Sequence, residues 1–356
     1  MKSILFLVVG VWALAPSVNP PGLPVSQVPQ FVFIGSDDNT KPLYTFIDLF
    51  KNLQNPMGSG TSGTYDGQQA SMTFYSTTLY SVGNWLKSHR EAYDMGLEIG
   101  NHTETHPKSL SVERMVTEIK KCEDKFTTPT NNFKGIPKED FVGFRVPFLH
   151  NSNAVFTALD SLNYLYDCSL EDGFQPEKDG RNFHWPYTLD YLPKGVWERV
   201  IDSGLDSIAW KSRPNLWEIP AYPLLLIPDS VVTDYGLEVG FLDKVADRQS
   251  WMRPSLKITG LDYNLIYQAY LNSNEILAML KYNLDLRLAG NRAPFTYGIH
   301  GHYYEDADKL WVLREFLNYA LSKPEVRVVS GRQIIDWMRN PVGLNGEKPG
   351  TVSLGH

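Results

Sequence analysis

Hydrophobic and polar positions along the chain predict strands that alternate with helices. The apolar run at residues 30–34 predicts a buried strand, and residues 71–75 predict a second. In residues 112–125, Met115, Ile119 and Cys122 recur at helical spacing, which predicts an amphipathic helix with these side chains in the core. The same reasoning gives the remaining elements: strands at 141–144 and 294–299, and helices at 82–93, 153–162, 275–288 and 309–321.

This alternation predicts an α/β fold with a parallel sheet, and the number of units favours closure into a single deformed (β/α) barrel. A chain of 356 residues that is 42% hydrophobic can bury one large core. In such barrels the chemistry lies at the carboxyl ends of the strands. The Gly/Ser-rich residues 55–67 predict a surface loop.

The two ends of the chain predict segments outside this core. Residues 1–17 have a Lys2 start and an apolar run, which is typical of a signal peptide cut after Ser17, and the run is too short to span a bilayer. A buried N-terminal strand is the alternative. We predict a spacer at 18–29, the main domain at 30–341 and a tail at 342–356. The protein is then secreted and extracellular, with no stable membrane insertion after signal removal.

Charge and cysteine content narrow the classes further. A net charge of -7 without a long Lys/Arg run argues against nucleic acid as a partner. Cys122 and Cys168 are the two cysteines, and export favours a disulfide between them, with two free core thiols as the alternative. The sequence does not indicate an oligomeric state.

Two short motifs carry the ligand types of an open metal site. Asp37 and Asp38 follow the first apolar strand, where one carboxylate can bind a metal while its neighbour stays free. His102 and His106 have i, i+4 spacing, which would place both imidazoles on one face of a helical turn. With Asp38 they provide two nitrogens and one oxygen, leaving a coordination position for water. A polar turn and chance surface histidines are the alternatives for the separate motifs.

Two further motifs follow predicted strands. Arg145 could hold a carboxylate by a bidentate contact. His300 and His302 end the strand at 294–299, and either could donate a proton near neutral pH. A structural histidine is the alternative for both His300 and His302.

In order and context, these motifs resemble the polysaccharide deacetylase family, also known as carbohydrate esterase family 4, and within it the animal chitin deacetylases. The resemblance spans roughly residues 30–341. The segments that carry it are 36–38 (SDD), 96–106 (GLEIGNHTETH), 144–148 (FRVPF), 185–190 (WPYTLD), 216–220 (LWEIP), 293–295 (APF) and 337–338 (WM).

The resemblance implies a role for each matching residue. The metal ligands would be Asp38, His102 and His106, holding Zn²⁺ or another divalent ion. The general base would be Asp37, oriented by Arg145, and the general acid would be His300. The substrate-binding residues would be Phe148, through its backbone N–H, and Trp217. Tyr303, beside the His300 motif, is a further substrate-binding candidate because flat rings suit the apolar faces of sugars, with ordinary aromatic packing as the alternative. The chain departs from the family at Gly35–Ser36, where Thr-Phe is usual, and at Phe148, where many members have Tyr. For the carboxylate that supports the general acid, the candidates are Asp167, Asp190 and Glu218.

The implied activity is metal-dependent hydrolysis of the N-acetyl groups of N-acetylglucosamine units in chitin or its oligomers, with release of acetate. Two alternatives stay open. One is a deacetylase of peptidoglycan or another N-acyl substrate. The other is an inactive carbohydrate-binding relative, which would be expected to have lost a metal ligand or the base.

Overall fold

The protein is described by a computed structural model over residues 13–79, 81–108, 110–196 and 210–350. Within these residues a nine-stranded sheet has the order β10-β1-β2-β3-β4-β5-β7-β6, with β11 pairing beside β1. All of its pairings are parallel except β6 with β7, and β8 and β9 form a separate antiparallel pair. The strands are β1 (Gln30–Asp37), β2 (Thr73–Ser76), β3 (Glu98–Asn101), β4 (Gly143–Phe144), β5 (Tyr166–Asp167), β6 (Tyr187–Leu189), β7 (Arg213–Glu218), β8 (Pro223–Leu225), β9 (Lys257–Thr259), β10 (Phe295–His300) and β11 (Val326–Val328).

Helices connect these strands, so the α/β class is confirmed. They are α1 (Tyr44–Phe50), α2 (Trp85–Asp94), α3 (Val112–Thr127), α4 (Asn153–Ser161), α5 (Phe241–Ala246), α6 (Ser273–Ala289), α7 (Ala307–Leu321) and α8 (Gly331–Arg339). In α3 the predicted apolar stripe is buried, from Met115 to Phe126. The helix α6 begins with a capping box between Asn272 and Glu275, which satisfies backbone donors of its first turn.

A few contacts outside the regular strand pairing join β10 to the segments that follow β7 and β9. After β7, the Tyr222 N–H donates to Thr296 Oγ1 of β10 over 3.1 Å. Thr296 Oγ1 in turn donates to the Pro220 carbonyl over 3.2 Å. On the same side of β10, Leu261 forms an isolated parallel bridge with Gly298.

The predicted disulfide is wrong, because Cys122 and Cys168 are both free and buried. Cys122 lies on α3 in one hydrophobic cluster, and its thiol donates to the Ser76 carbonyl. Cys168 follows β5 in a different cluster, with its sulfur 3.3 Å from Arg145 Nε. Burial of both cysteines was foreseeable from their apolar surroundings, but their placement in separate clusters depends on the three-dimensional packing.

The terminal segments are described only in part. Residues 1–12 of the predicted signal peptide and residues 351–356 of the predicted tail lie outside the described residues. Leu14 and Ser17 accept backbone hydrogen bonds from Thr188 and Trp185, beside β6. In the part of the chain that the structure covers, no helix has the length and apolar character needed to cross a bilayer.

Candidate active site

The paired aspartates lie where β1 leaves the sheet. Asp37 is the last residue of the strand, and Asp38 has a left-handed backbone with φ of 58°, a conformation that Asp tolerates better than most residues. The turn is fixed by Asn39, whose side-chain N–H groups donate to the carbonyls of Ser36 and Tyr75. This backbone reversal lets the two neighbouring carboxylates point to different partners.

His102 and His106 lie in a loop after β3, so the predicted helical turn is wrong. Thr103 and His106 have positive φ angles of 67° and 58°. Pro107 disfavours a helical backbone at the residue before it, and the sequence contained this signal. The loop is instead held by the His106 N–H, which donates to Thr103 Oγ1. The two imidazoles still come together, with ring centroids 4.9 Å apart.

Asp38, His102 and His106 offer one ligand atom each, and these atoms lie within 4.8 Å of one another. Asp38 Oδ1 is 3.4 Å from His102 Nε2 and 3.1 Å from His106 Nε2, is buried, and has no hydrogen bond of good geometry. The Arg145 carbonyl, 2.7 Å from His102 Nδ1, can only accept, so Nδ1 carries the proton. In the neutral ring Nε2 then has a free lone pair, which faces Asp38 and can bind a metal. Burial, then repulsion from His102, lowers the pKa of His106 to about 4. The donor set therefore fits a divalent cation such as zinc.

Asp37 is paired with Arg145 instead of with the histidines. Arg145 Nη1 lies 3.3 Å from Asp37 Oδ1 and 3.5 Å from Oδ2, and both side chains are almost fully buried. Burial alone would lower the pKa of Arg145, but the charge of Asp37 raises it above its ordinary value. The guanidinium is also fixed by the Cys168 carbonyl, which accepts from Nε at 3.1 Å, and by the Tyr75 ring beneath it.

Two glycines make room for this guanidinium. Gly35 of β1 and Gly298 of β10 are direct partners in the parallel pair. A Cβ at Gly35 would lie 3.1 Å from Arg145 Nη2, and one at Gly298 would lie 3.0 Å from Nη1. Glycine at position 35, where the family usually has Thr, therefore leaves space for the Arg145 guanidinium to pack against β1.

His300 is supported by Asp262, which was not among the predicted candidates. Its Nδ1 lies 2.7 Å from Asp262 Oδ1, and its backbone N–H donates to Oδ2. Burial would lower the pKa of His300, but the charge and hydrogen bond of Asp262 raise it to about 9. Asp262 follows the Ile258-Thr259-Gly260-Leu261 run, and an aspartate just after a short apolar strand with a glycine was a usable signal, as at Ile34–Asp37.

The three predicted partners of His300 are engaged elsewhere, so that prediction is wrong. Asp167 accepts from the backbone and hydroxyl of Ser169. Glu218 accepts from the backbone N–H groups of Ser169 and Leu170. Asp190 accepts from the hydroxyls of Thr188 and Ser212.

One pocket of about 560 Å³ brings most of the predicted site residues together. Its lining includes Asp37, Asp38, His102, His106, His300, Phe148, Tyr303 and His302. Phe148 is 58% exposed, has a left-handed backbone with φ of 60°, and packs edge-on against His106. Trp217 is not part of this lining. It is buried in a core cluster, and its indole N–H has no hydrogen-bond partner among the described residues. Its contact with an acetyl group remains a prediction.

Comparison with known proteins agrees with this site. Residues 64–166 match the family model described as polysaccharide deacetylase, a stretch that includes both histidines and Arg145. The resemblance to polysaccharide deacetylases that was drawn from the motifs is confirmed.

One curated relative is an insect protein. The chain is 24% identical over 340 residues to chitin deacetylase 8 of Bombyx mori, covering 92% of this chain and 74% of that protein. Among solved structures it is similar to a probable polysaccharide deacetylase from Pseudomonas aeruginosa PAO1, with a TM-score of 0.49, 14% identity and coverage of 90% and 95%. It is also similar to a family 4 carbohydrate esterase from Streptomyces lividans, with a TM-score of 0.36, 12% identity and coverage of 84% and 91%.

Proposed function

We propose that the protein is a secreted, metal-dependent deacetylase that hydrolyses the N-acetyl groups of N-acetylglucosamine units in chitin or its oligomers. One observation carries the proposal. A single pocket is lined by the cation donor set of Asp38, His102 and His106 and also by Asp37 and His300. The last two are each paired with a buried side chain outside the lining, Asp37 with Arg145 and His300 with Asp262. An inactive binding relative would not be expected to retain all of these.

Each residue has a part in amide hydrolysis. A divalent ion held by Asp38, His102 and His106 would polarise the acetyl carbonyl and increase the acidity of water. Asp37, held by Arg145, accepts the proton of the attacking water. The Phe148 N–H donates to the oxyanion that forms. His300, kept protonated by Asp262, gives its proton to the leaving amine, so the products are acetate and a glucosamine unit.

Acetate release from N-acetylglucosamine oligomers is the direct test. Purified protein is assayed before chelation, after chelation, and after zinc is restored, and peptidoglycan fragments are assayed in parallel. We expect release from the oligomers, loss on chelation and recovery with zinc. Faster acetate release from peptidoglycan than from the oligomers would indicate that peptidoglycan is the substrate. Sugar binding without acetate release from any substrate would indicate a carbohydrate-binding protein that is not an enzyme.

Secretion and the segment boundaries belong to the same proposal. The apolar start of the chain supports export with a signal peptide at residues 1–17, a spacer at 18–29, a catalytic domain at 30–341 and a tail at 342–356. Expression of the full chain in a secreting cell, followed by N-terminal sequencing of the protein in the medium, tests export and the cut after Ser17 together. Retention inside the cells with an intact N-terminus would reject both.

A further inference from the structure

The backbone of Phe148 and Leu149 has a conformation that is unusual for residues of their size. Both are left-handed, with φ angles of 60° and 51°. Bulky residues adopt this conformation rarely, and they retain it only where surrounding contacts hold the chain. Both residues line the pocket beside the cation donor set. The turn therefore lies at the site, and its conformation needs support from other residues.

One backbone donor of this turn remains available to a ligand. From residue 145 to residue 151, each N–H group donates to an acceptor except that of Phe148, for which the described residues provide none. Phe148 is also the exposed residue of the turn. An N–H group without an acceptor, beside a cation site, is suited to an oxygen that gains negative charge during a reaction.

Ser169 holds the residue at which the turn begins. Its hydroxyl oxygen accepts from the Val146 N–H over 2.8 Å, and its hydroxyl donates to Asp167 Oδ1 over 2.8 Å. The Ser169 N–H donates to carboxylate oxygens of both Asp167 and Glu218. Ser169 and the two acidic side chains are fully buried. Water would therefore not readily replace a hydrogen bond that is lost here.

Asn151 holds the end of the same turn. Its Nδ2 donates to the Leu149 carbonyl over 3.0 Å and to the Ser169 carbonyl over 2.8 Å. The left-handed Leu149 is thereby connected to the serine that holds Val146. Neither Ser169 nor Asn151 is part of the pocket lining. Both side chains support the turn from outside the pocket.

We propose that Ser169 and Asn151 are positioning residues, which keep the Phe148 N–H directed at the oxyanion that forms during amide hydrolysis. The inference rests on the proposed function and adds to it two residues outside the pocket. Because these contacts fix the donor before the substrate binds, the turn need not reorganise as negative charge develops.

The first test is the effect of Ser169→Ala on the kinetics of acetate release. The change leaves the buried Val146 N–H without its acceptor, so the turn should shift. For an N-acetylglucosamine tetramer, kcat should fall roughly 10- to 100-fold, short of the roughly 10²- to 10³-fold loss that follows removal of an oxyanion donor. KM and zinc content should change little, because Ser169 lies outside the pocket.

A second variant and a matched control separate positioning from general stability. Asn151→Ala removes the other support and should also lower kcat. It should fold even if Ser169→Ala does not, because Asn151 is less deeply buried. Ser330→Ala is the control. The Ser330 hydroxyl is likewise buried and accepts a backbone N–H, that of Gln333, but it lies at the start of α8 outside the pocket. This variant should be less stable in thermal unfolding and should keep its kcat.

A tetrahedral analogue measures the oxyanion contact directly. The probe is a glucosamine dimer in which an N-methylphosphonyl group replaces N-acetyl, so that a charged oxygen takes the position of the oxyanion. Its affinity is measured by calorimetry on zinc-loaded protein. In Ser169→Ala and Asn151→Ala the affinity should fall by about the factor by which kcat/KM falls, because both report binding of the transition state. Ser330→Ala should bind the analogue as wild type does.

The outcomes distinguish this inference from the proposed function. Unchanged kcat and analogue affinity in both Ser169→Ala and Asn151→Ala would overturn the inference, as would an equal loss of kcat in Ser330→Ala. The deacetylase proposal would stand in either case. A wild-type protein that releases no acetate would instead reject the proposed function. Weaker analogue binding in Ser169→Ala and Asn151→Ala alone would even then support the positioning role.

Discussion

The neighbouring aspartates Asp37 and Asp38 have different partners, and this difference leads to the first prediction. Asp37 contacts Arg145, whereas Asp38 faces the histidines, so Asp37→Asn should keep the metal and lose the proton acceptor. We expect near-normal zinc content and sugar binding, with turnover lower by roughly 10²- to 10⁴-fold. His106→Ala is the contrasting variant, because it should lower zinc content while the fold persists. Metal analysis beside acetate release checks both, and loss of zinc in Asp37→Asn would make Asp37 a ligand.

Asp262 allows a prediction of pH dependence. Its carboxylate raises the pKa of His300 to about 9, so His300 stays protonated, and able to act as an acid, up to mildly alkaline pH. In Asp262→Asn this negative charge is lost and the pKa of His300 falls. The alkaline limb of kcat/KM should therefore move to lower pH, as a full pH–rate profile would reveal. Asp190→Asn should leave the limb in place, because this carboxylate accepts from the hydroxyls of Thr188 and Ser212. An unshifted limb in Asp262→Asn would contradict the assignment of His300 as the acid.

The pairing of β1 with β10 predicts an effect of packing on activity. A methyl group at Gly35 would lie 3.1 Å from both Arg145 Nη2 and the Tyr75 ring, closer than ordinary contact. Gly35→Ala should displace the guanidinium and its bonded Asp37, reducing turnover and destabilising the fold by about 1–3 kcal/mol. Thermal unfolding, acetate release and zinc content are the measurements, and zinc content should hold. Gly350→Ala is the control, since its added methyl would meet open space. Unchanged turnover in Gly35→Ala would show that Arg145 has room to adjust.

Elements with strong local signals were predictable from the sequence. The apolar run that became β1 and the stripe of α3 are examples, because each pattern extends over enough residues to define a period. The strands β6, β8 and β9 have three residues each, too few for a period, and none of them was predicted. This gap explains why Asp262, which follows β9, was missed.

The candidate site was predictable to a similar degree. Residue types after strands indicated Asp37, Asp38 and His300, and the structure brings all three to one pocket. The backbone of the His102–His106 loop was not foreseen, because two positive φ angles depend on contacts such as the Thr103 hydroxyl. Roles in catalysis remain predictions for the experiments above.

The state of the two thiols is a property of the entire folded chain. Burial raises the pKa of both Cys122 and Cys168, so neither should react in the native protein. After unfolding in denaturant without reductant, a thiol-reactive dye should label two sulfurs per chain. A sample reduced before labelling gives the reference count. If no sulfur is labelled before reduction and two are labelled after it, the two cysteines form a disulfide and the free-thiol assignment is wrong.

The N-terminal contacts with β6 bear on self-association. β6 is the last strand of the sheet, and its free side is covered because Thr188 and Trp185 donate their N–H groups to the carbonyls of Leu14 and Ser17. A chain cut after Ser17 would leave these donors open to another molecule's backbone, the usual route to edge-to-edge aggregation. Light scattering should therefore show more association for a chain beginning at Val18 than for one beginning at Ala13. Equal behaviour would mean that the edge is protected in another way, for instance by its short length. Residues 13–17 would then protect the edge of the sheet from pairing with another molecule. The position of the processing cut would decide whether the mature protein retains these residues.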